Sequence, residues 1–166
     1  MGYTTYFRGA FGITPELTPK HERYLLKFAR VRHMTWDEKV IAEEPDRRRQ
    51  AVGLPVGDGG IYYTSGGEGW AGEAPGLLDH NRPAPGVPGL WCQWVPEDTE
   101  EGFQLVWDGG EKFYNYVEWL EFLIEHFLKP WGYTLNGVVS FRGESFDDAG
   151  RIHVEDNVVR VEQVDL

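Results

Sequence analysis

A chain of 166 residues, 41% hydrophobic and 14% aromatic, is long enough for a self-sufficient core and too apolar to stay disordered. Its single cysteine excludes an internal disulfide and every multi-cysteine metal centre. The net charge of -11 is uneven: residues 1–50 carry 10 basic and 7 acidic side chains, residues 51–166 carry 6 and 20. Such an acidic surface repels phosphate backbones, which makes direct nucleic-acid binding an unfavourable reading.

The elements follow in chain order. Gly2 to Phe11 alternates aromatic and β-branched residues with period two, as a strand does. Thr18 and Pro19 form a helix start, and Tyr24, Leu25, Phe28 and Val31 share one arc of a helix reaching about Met34. Lys20, Arg23, Lys27 and Arg30 make a basic stripe beside that arc. Thr35 and Glu38 are spaced as a capping box for a second helix, which Pro45 interrupts. Asp46 caps a last short turn through Arg47, Arg48 and Arg49, and Gly53 stops it.

Residues 53–89 hold 11 of the 21 glycines and 5 of the 10 prolines. Only Ile61 to Thr64 reads as a strand there, and about 65–88 is expected to be one long loop. Leu90 to Val95 and Phe103 to Trp107 then read as a hairpin. Asp108-Gly109-Gly110 leads into the strongest helix, Glu111 to Lys129, with Phe113, Val117, Leu120, Ile124 and Phe127 as its core stripe. Three strands close the chain: Tyr133 to Arg142, Arg151 to Glu155 and Val158 to Val164, with Asp156-Asn157 as a tight turn. The pattern predicts an α+β fold, with a mainly antiparallel sheet (hairpin plus C-terminal three-strand meander) packed against a long apolar helix and preceded by two helices. A single domain over 1–166 is expected. No apolar run approaches the ~18 residues of a membrane span and the first ten residues carry no signal core, so a cytoplasmic protein without membrane contact is expected.

No catalytic motif stands out. Cys92 lies within a predicted strand, where a thiol is core filling. The five histidines lack the spacing of a two-histidine metal clamp, and Ser65-Gly66-Gly67-Glu68-Gly69 lacks the lysine and the following helix of a phosphate loop. No cofactor or metal is expected. Three groups of residues remain as candidates. Asp79-His80-Asn81-Arg82 sets a base and an anion-binding arginine in the glycine-rich loop, near Tyr62 and Tyr63, as a nucleotide-like ligand or hydrolytic site would need. Glu118, Glu121 and Glu125 share one helix face, either as a plain solvated face or as a surface that steers a basic partner. Trp70 and the other tryptophans are either core or anchors of a recognition surface.

Met1-Gly2-Tyr3-Thr4-Thr5-Tyr6-Phe7-Arg8-Gly9, Gly89-Leu90-Trp91-Cys92-Gln93-Trp94, Trp107 to Tyr114 and Gly150 to Asn157 resemble a group of small uncharacterised proteins carried by bacteriophages and prophage-like bacterial regions. That resemblance implies no catalytic residues and suggests a phage–host interaction role. The leading expectation is a non-enzymatic acidic interaction protein that binds or inhibits a host or defence component with a basic surface. The alternatives are a small-ligand binder or hydrolase around His80 and Arg82, and a nucleic-acid mimic built from arrayed carboxylates.

Overall fold

The computed structural model describes residues 2–67 and 73–164. Its packing groups the chain into two compact units, 1–17 with 93–166 and 18–92. The fold is α+β, as the sequence pattern indicates.

The first unit is built on a six-stranded sheet. Its strands are β1 (Tyr6–Thr14), β4 (Trp94–Thr99), β5 (Gly102–Trp107), β6 (Thr134–Arg142), β7 (Ala149–Glu155) and β8 (Val158–Gln163), in the order β4-β5-β1-β6-β7-β8 and antiparallel throughout. Period-two alternation buries Phe11, Ile13, Leu105, Leu135, Val139 and Ile152. Helix α4 (Tyr116–Leu123) contributes Trp119, Leu120 and Leu123 to the same unit's buried set. Five further residues, Ile124–Leu128, continue it as a π-turn, closed by Lys129 N donating to Ile124 O at 2.9 Å. Phe7 anchors an aromatic cluster, with ring centroids 4.9 Å from Tyr116 and 5.3 Å from both Trp94 and Trp107.

The helix expected over Glu111–Lys129 begins only at Tyr116. Lys112 and Asn115 both take left-handed backbone (φ +58°), which the right-handed helix cannot incorporate. The meander matches its expected boundaries closely. Its Asp156-Asn157 turn has φ +47° and +70°, the geometry a two-residue hairpin requires.

The second unit contains α1 (Pro19–Arg30), α2 (Glu38–Ile41), α3 (Arg47–Ala51) and a two-stranded sheet of β2 (Met34–Trp36) with β3 (Leu77–Pro83). Thr18 caps α1, accepting from His21 N at 3.5 Å, with Pro19 in its first turn. The capping box at Thr35 does not form. Thr35 Oγ1 instead donates to the carbonyls of Arg82 and Pro83, Met34–Trp36 is extended, and Asp37 caps α2 by accepting from Lys39 N at 3.0 Å. Ile61–Thr64 is not a strand: Thr64 N and Oγ1 donate to the Asp46 carboxylate at 2.8 and 2.7 Å, leaving no ladder. The expected 65–88 loop contains β3, whose pairing with β2 spans too great a sequence distance for local periodicity to reveal.

Asp46 is the buried polar centre of this unit. It caps α3 by accepting from Arg49 N at 3.2 Å. Arg49 Nε lies 3.5 Å from its other oxygen, an electrostatic contact without hydrogen-bond alignment, while Arg49 Nη1 donates to Leu54 O at 2.8 Å. Met34, Trp36, Ile41 and Tyr63 form the neighbouring apolar cluster.

Candidate functional site

The six-stranded sheet leaves one face open. Register places the side chains of that face in rows running across the strands. Tyr6 stands opposite Arg142, which stands opposite Ala149. Arg8, Ser140, Arg151 and Glu162 form the next row on β1, β6, β7 and β8. Ala10, Val138, His153 and Arg160 form the third. With strands ~4.8 Å apart, Arg8 and Arg151 flank Ser140 at roughly twice that spacing.

A shallow groove of about 530 Å³ runs over the first two rows, bordered by Tyr6, Arg8, Trp107, Ser140, Arg142 and Arg151 among others. Tyr6 is 61% exposed and its ring meets Trp107 edge-on at 6.2 Å. A second groove of about 700 Å³ covers the rows beyond, bordered by Asn136, Val138, His153, Val158 and Arg160.

The charge on this face runs against the rest of its unit. By sequence the unit has six Lys and Arg against seventeen Asp and Glu, and four of the six, Arg8, Arg142, Arg151 and Arg160, lie on the open face. Glu162 accepts from His153 Nε2 at 3.2 Å and Arg151 Nη1 at 3.3 Å, and these hydrogen bonds hold its carboxyl below the ordinary carboxylate range. Among the described residues no ion pair joins Arg8 or Arg142 to a carboxylate. Guanidinium groups on a rigid sheet present planar donor forks to carboxylates or phosphates, and the aromatic rings beside them add stacking surface.

The residues singled out from sequence stand elsewhere. His80 and Arg82 are exposed on β3, where the His80 carbonyl and the Asn81 side chain accept from the Arg32 guanidinium at 2.9 and 3.2 Å. Tyr63 is buried against Trp36, with centroids 5.2 Å apart. Tyr62 borders a groove of about 440 Å³ with Gly57, Asp58, Ile61, Pro85 and Gly86, and neither His80 nor Arg82 lines it. The structure therefore does not gather these four residues around one cleft. Glu118, Glu121 and Glu125 are exposed on α4 and its π-turn, with Lys129 Nζ 3.8 Å from Glu125. Cys92 is buried, and Trp70 lies outside the described residues. Among the described residues, no three His, Cys, Asp or Glu side chains stand together as a metal site would need, and no helix is long and apolar enough to cross a membrane.

The arginines of the sheet face were the residues that sequence reasoning missed. Their signal was present: Arg142 and Arg151 each fall out of phase with the buried positions of their strands, and Arg160 alternates with Val159 and Val161. Only the register joins them into one patch with Arg8.

No family model, curated protein or solved structure matches this chain.

Proposed function

We propose that this chain is a non-enzymatic interaction protein that docks an acidic segment of a partner protein on the open face of its sheet. One observation carries the reading: Arg8, Arg142 and Arg151 border a single shallow groove with Tyr6 and Trp107, in a unit whose sequence is otherwise dominated by carboxylates. An acidic peptide places a few carboxylates over the arginines and ends within the groove. A nucleic-acid strand carries its charge onward, beyond the face, where the surrounding acidic residues oppose it. The resemblance to phage proteins makes a host or defence component the proposed partner.

Fluorescence anisotropy with a labelled oligoglutamate peptide tests this, with an unlabelled single-stranded oligonucleotide as competitor. The expected result is saturable, salt-weakened binding that the oligonucleotide displaces poorly and that R8A/R142A weakens at least ~10-fold, the scale of losing charge-assisted hydrogen bonds. Unchanged binding in R8A/R142A overturns the reading.

A second reading keeps the partner basic. The exposed Glu118, Glu121 and Glu125 on one helical face favour it. It predicts instead that E118K/E121K abolishes capture of an oligolysine peptide while R8A/R142A leaves that capture intact.

A further inference from the structure

The two edges of the six-stranded sheet are built differently. Along β4, the bond from Asp108 N to Gln93 O fixes which residues bond to β5. By alternation Trp94, Pro96 and Asp98 turn their backbone groups outward. Pro96 has no N–H to offer, and an acidic side chain follows on each of the next two residues. Proline and charge at an edge block the addition of another strand.

Edge β8 also carries two charges, but they are of opposite sign, Arg160 and Glu162. The bond from Val164 N to Ala149 O places Arg160 and Glu162 in the hydrogen-bonded pairs with β7. The backbone groups of Val159, Val161 and Gln163 therefore point away from the sheet. The strand contains no proline or glycine, and Val158 and Val161 are 69% and 44% exposed.

We infer that β8 pairs antiparallel with β8 of a second copy, centred on Val161. Only outward-pointing residues can bond across, which restricts the two-fold register to centres at Val159, Arg160, Val161 or Glu162. Centring on Arg160 or on Glu162 sets like charges directly opposite. Centring on Val159 shortens the ladder. Centring on Val161 sets Arg160 opposite Glu162 twice, Val161 opposite Val161, Val159 opposite Gln163 and Val158 opposite Val164. Every cross-strand pair is then apolar, neutral or oppositely charged. The two-fold axis keeps both open faces on one side. Glu162, already bonded to Arg151 and His153, thereby meets the Arg160 of the other copy, and the cationic rows continue across the junction.

One strand pair buries less than a standard interface, so dissociation constants of ~10–100 µM are expected. Sedimentation velocity on the full chain across that range tests the inference. Wild type is expected to shift from monomer to dimer. R160E and E162R each set like charges opposite and are expected to raise the dissociation constant at least ~10-fold, with circular-dichroism melts confirming that each still folds. An equimolar mixture of R160E with E162R restores opposite charges at both positions and is expected to dimerise as wild type does. Wild type that stays monomeric overturns the inference, as does dimerisation that both variants leave unchanged or a mixture that stays monomeric. The sheet-face reading is independent of this result, because its peptide binding is measured at concentrations where the chain is monomeric.

Discussion

His33 is 3% exposed and its ring lies 4.0 Å from Phe28. Its Nε2 is 2.7 Å from the Phe28 carbonyl, which can only accept, so Nε2 carries the proton and donates. Burial pushes the ring's pKa down to about 4, against the weaker opposing pull of that carbonyl. In the unfolded chain the same histidine titrates near 6.5. Below that pH the unfolded state binds the proton first, so stability is complete above pH 6.5 and declines as the pH falls towards 4. The full loss is of order 3 kcal/mol. Urea melts between pH 7 and 4 measure it, and H33Q is expected to flatten that part of the profile. A wild-type profile level across this range would remove the claim.

At the scale of elements, the β7–β8 hairpin turns on Asn157. Its Oδ1 accepts from Leu135 N at 2.7 Å, its Nδ2 donates to Tyr133 O at 3.0 Å, and its own φ is +70°. N157A removes both hydrogen bonds and strains the backbone, a combined cost of about 2–3 kcal/mol. N157G removes the bonds and keeps the backbone relaxed, so chemical denaturation is expected to place it between wild type and N157A. This turn was legible in the sequence because its chemistry is local: Asp-Asn tolerates positive φ wherever it stands. The same holds for Thr18-Pro19 and for the Asp46 cap. The errors fell where a distant partner decides. Thr35 has the right neighbours for a helix cap, yet its hydroxyl serves carbonyls 47 and 48 residues away. Leu77–Pro83 reads as loop by local pattern because its partner strand precedes it by some forty residues. The candidate site was illegible for the same reason: its arginines come from three strands at the far end of the chain and one at the start, and become neighbours only through register.

Across the whole molecule, charge is divided as sharply as packing. The unit 18–92 has ten basic and ten acidic residues and is neutral in sum, whereas the rest of the chain carries the entire -11. Crowded like charges oppose compaction, and salt screens them. Raising the salt from ~20 mM to ~0.5 M is therefore expected to increase Tm by a few degrees, since the Debye length shrinks from roughly 20 Å to about 4 Å. A fall in Tm by scanning calorimetry would mean that attractive pairs, such as Arg151–Glu162, outweigh the repulsion.

Strand β1 sits within its sheet, between β5 and β6, although it is synthesised before the sheet's other five strands. Its hydrogen-bonding groups have no sheet partner until roughly ninety more residues have been translated, which takes ~5–20 s at ordinary elongation rates. Residues 18–92 are complete before then. During synthesis the chain thus carries a finished intervening body behind an aromatic N-terminal segment, Tyr6-Phe7-Arg8-Gly9-Ala10-Phe11, that still lacks both neighbours. Nascent-chain stalling just after residue 92 would find that segment open to a chaperone, and stalling beyond residue 142, once β6 has emerged, would find it closed.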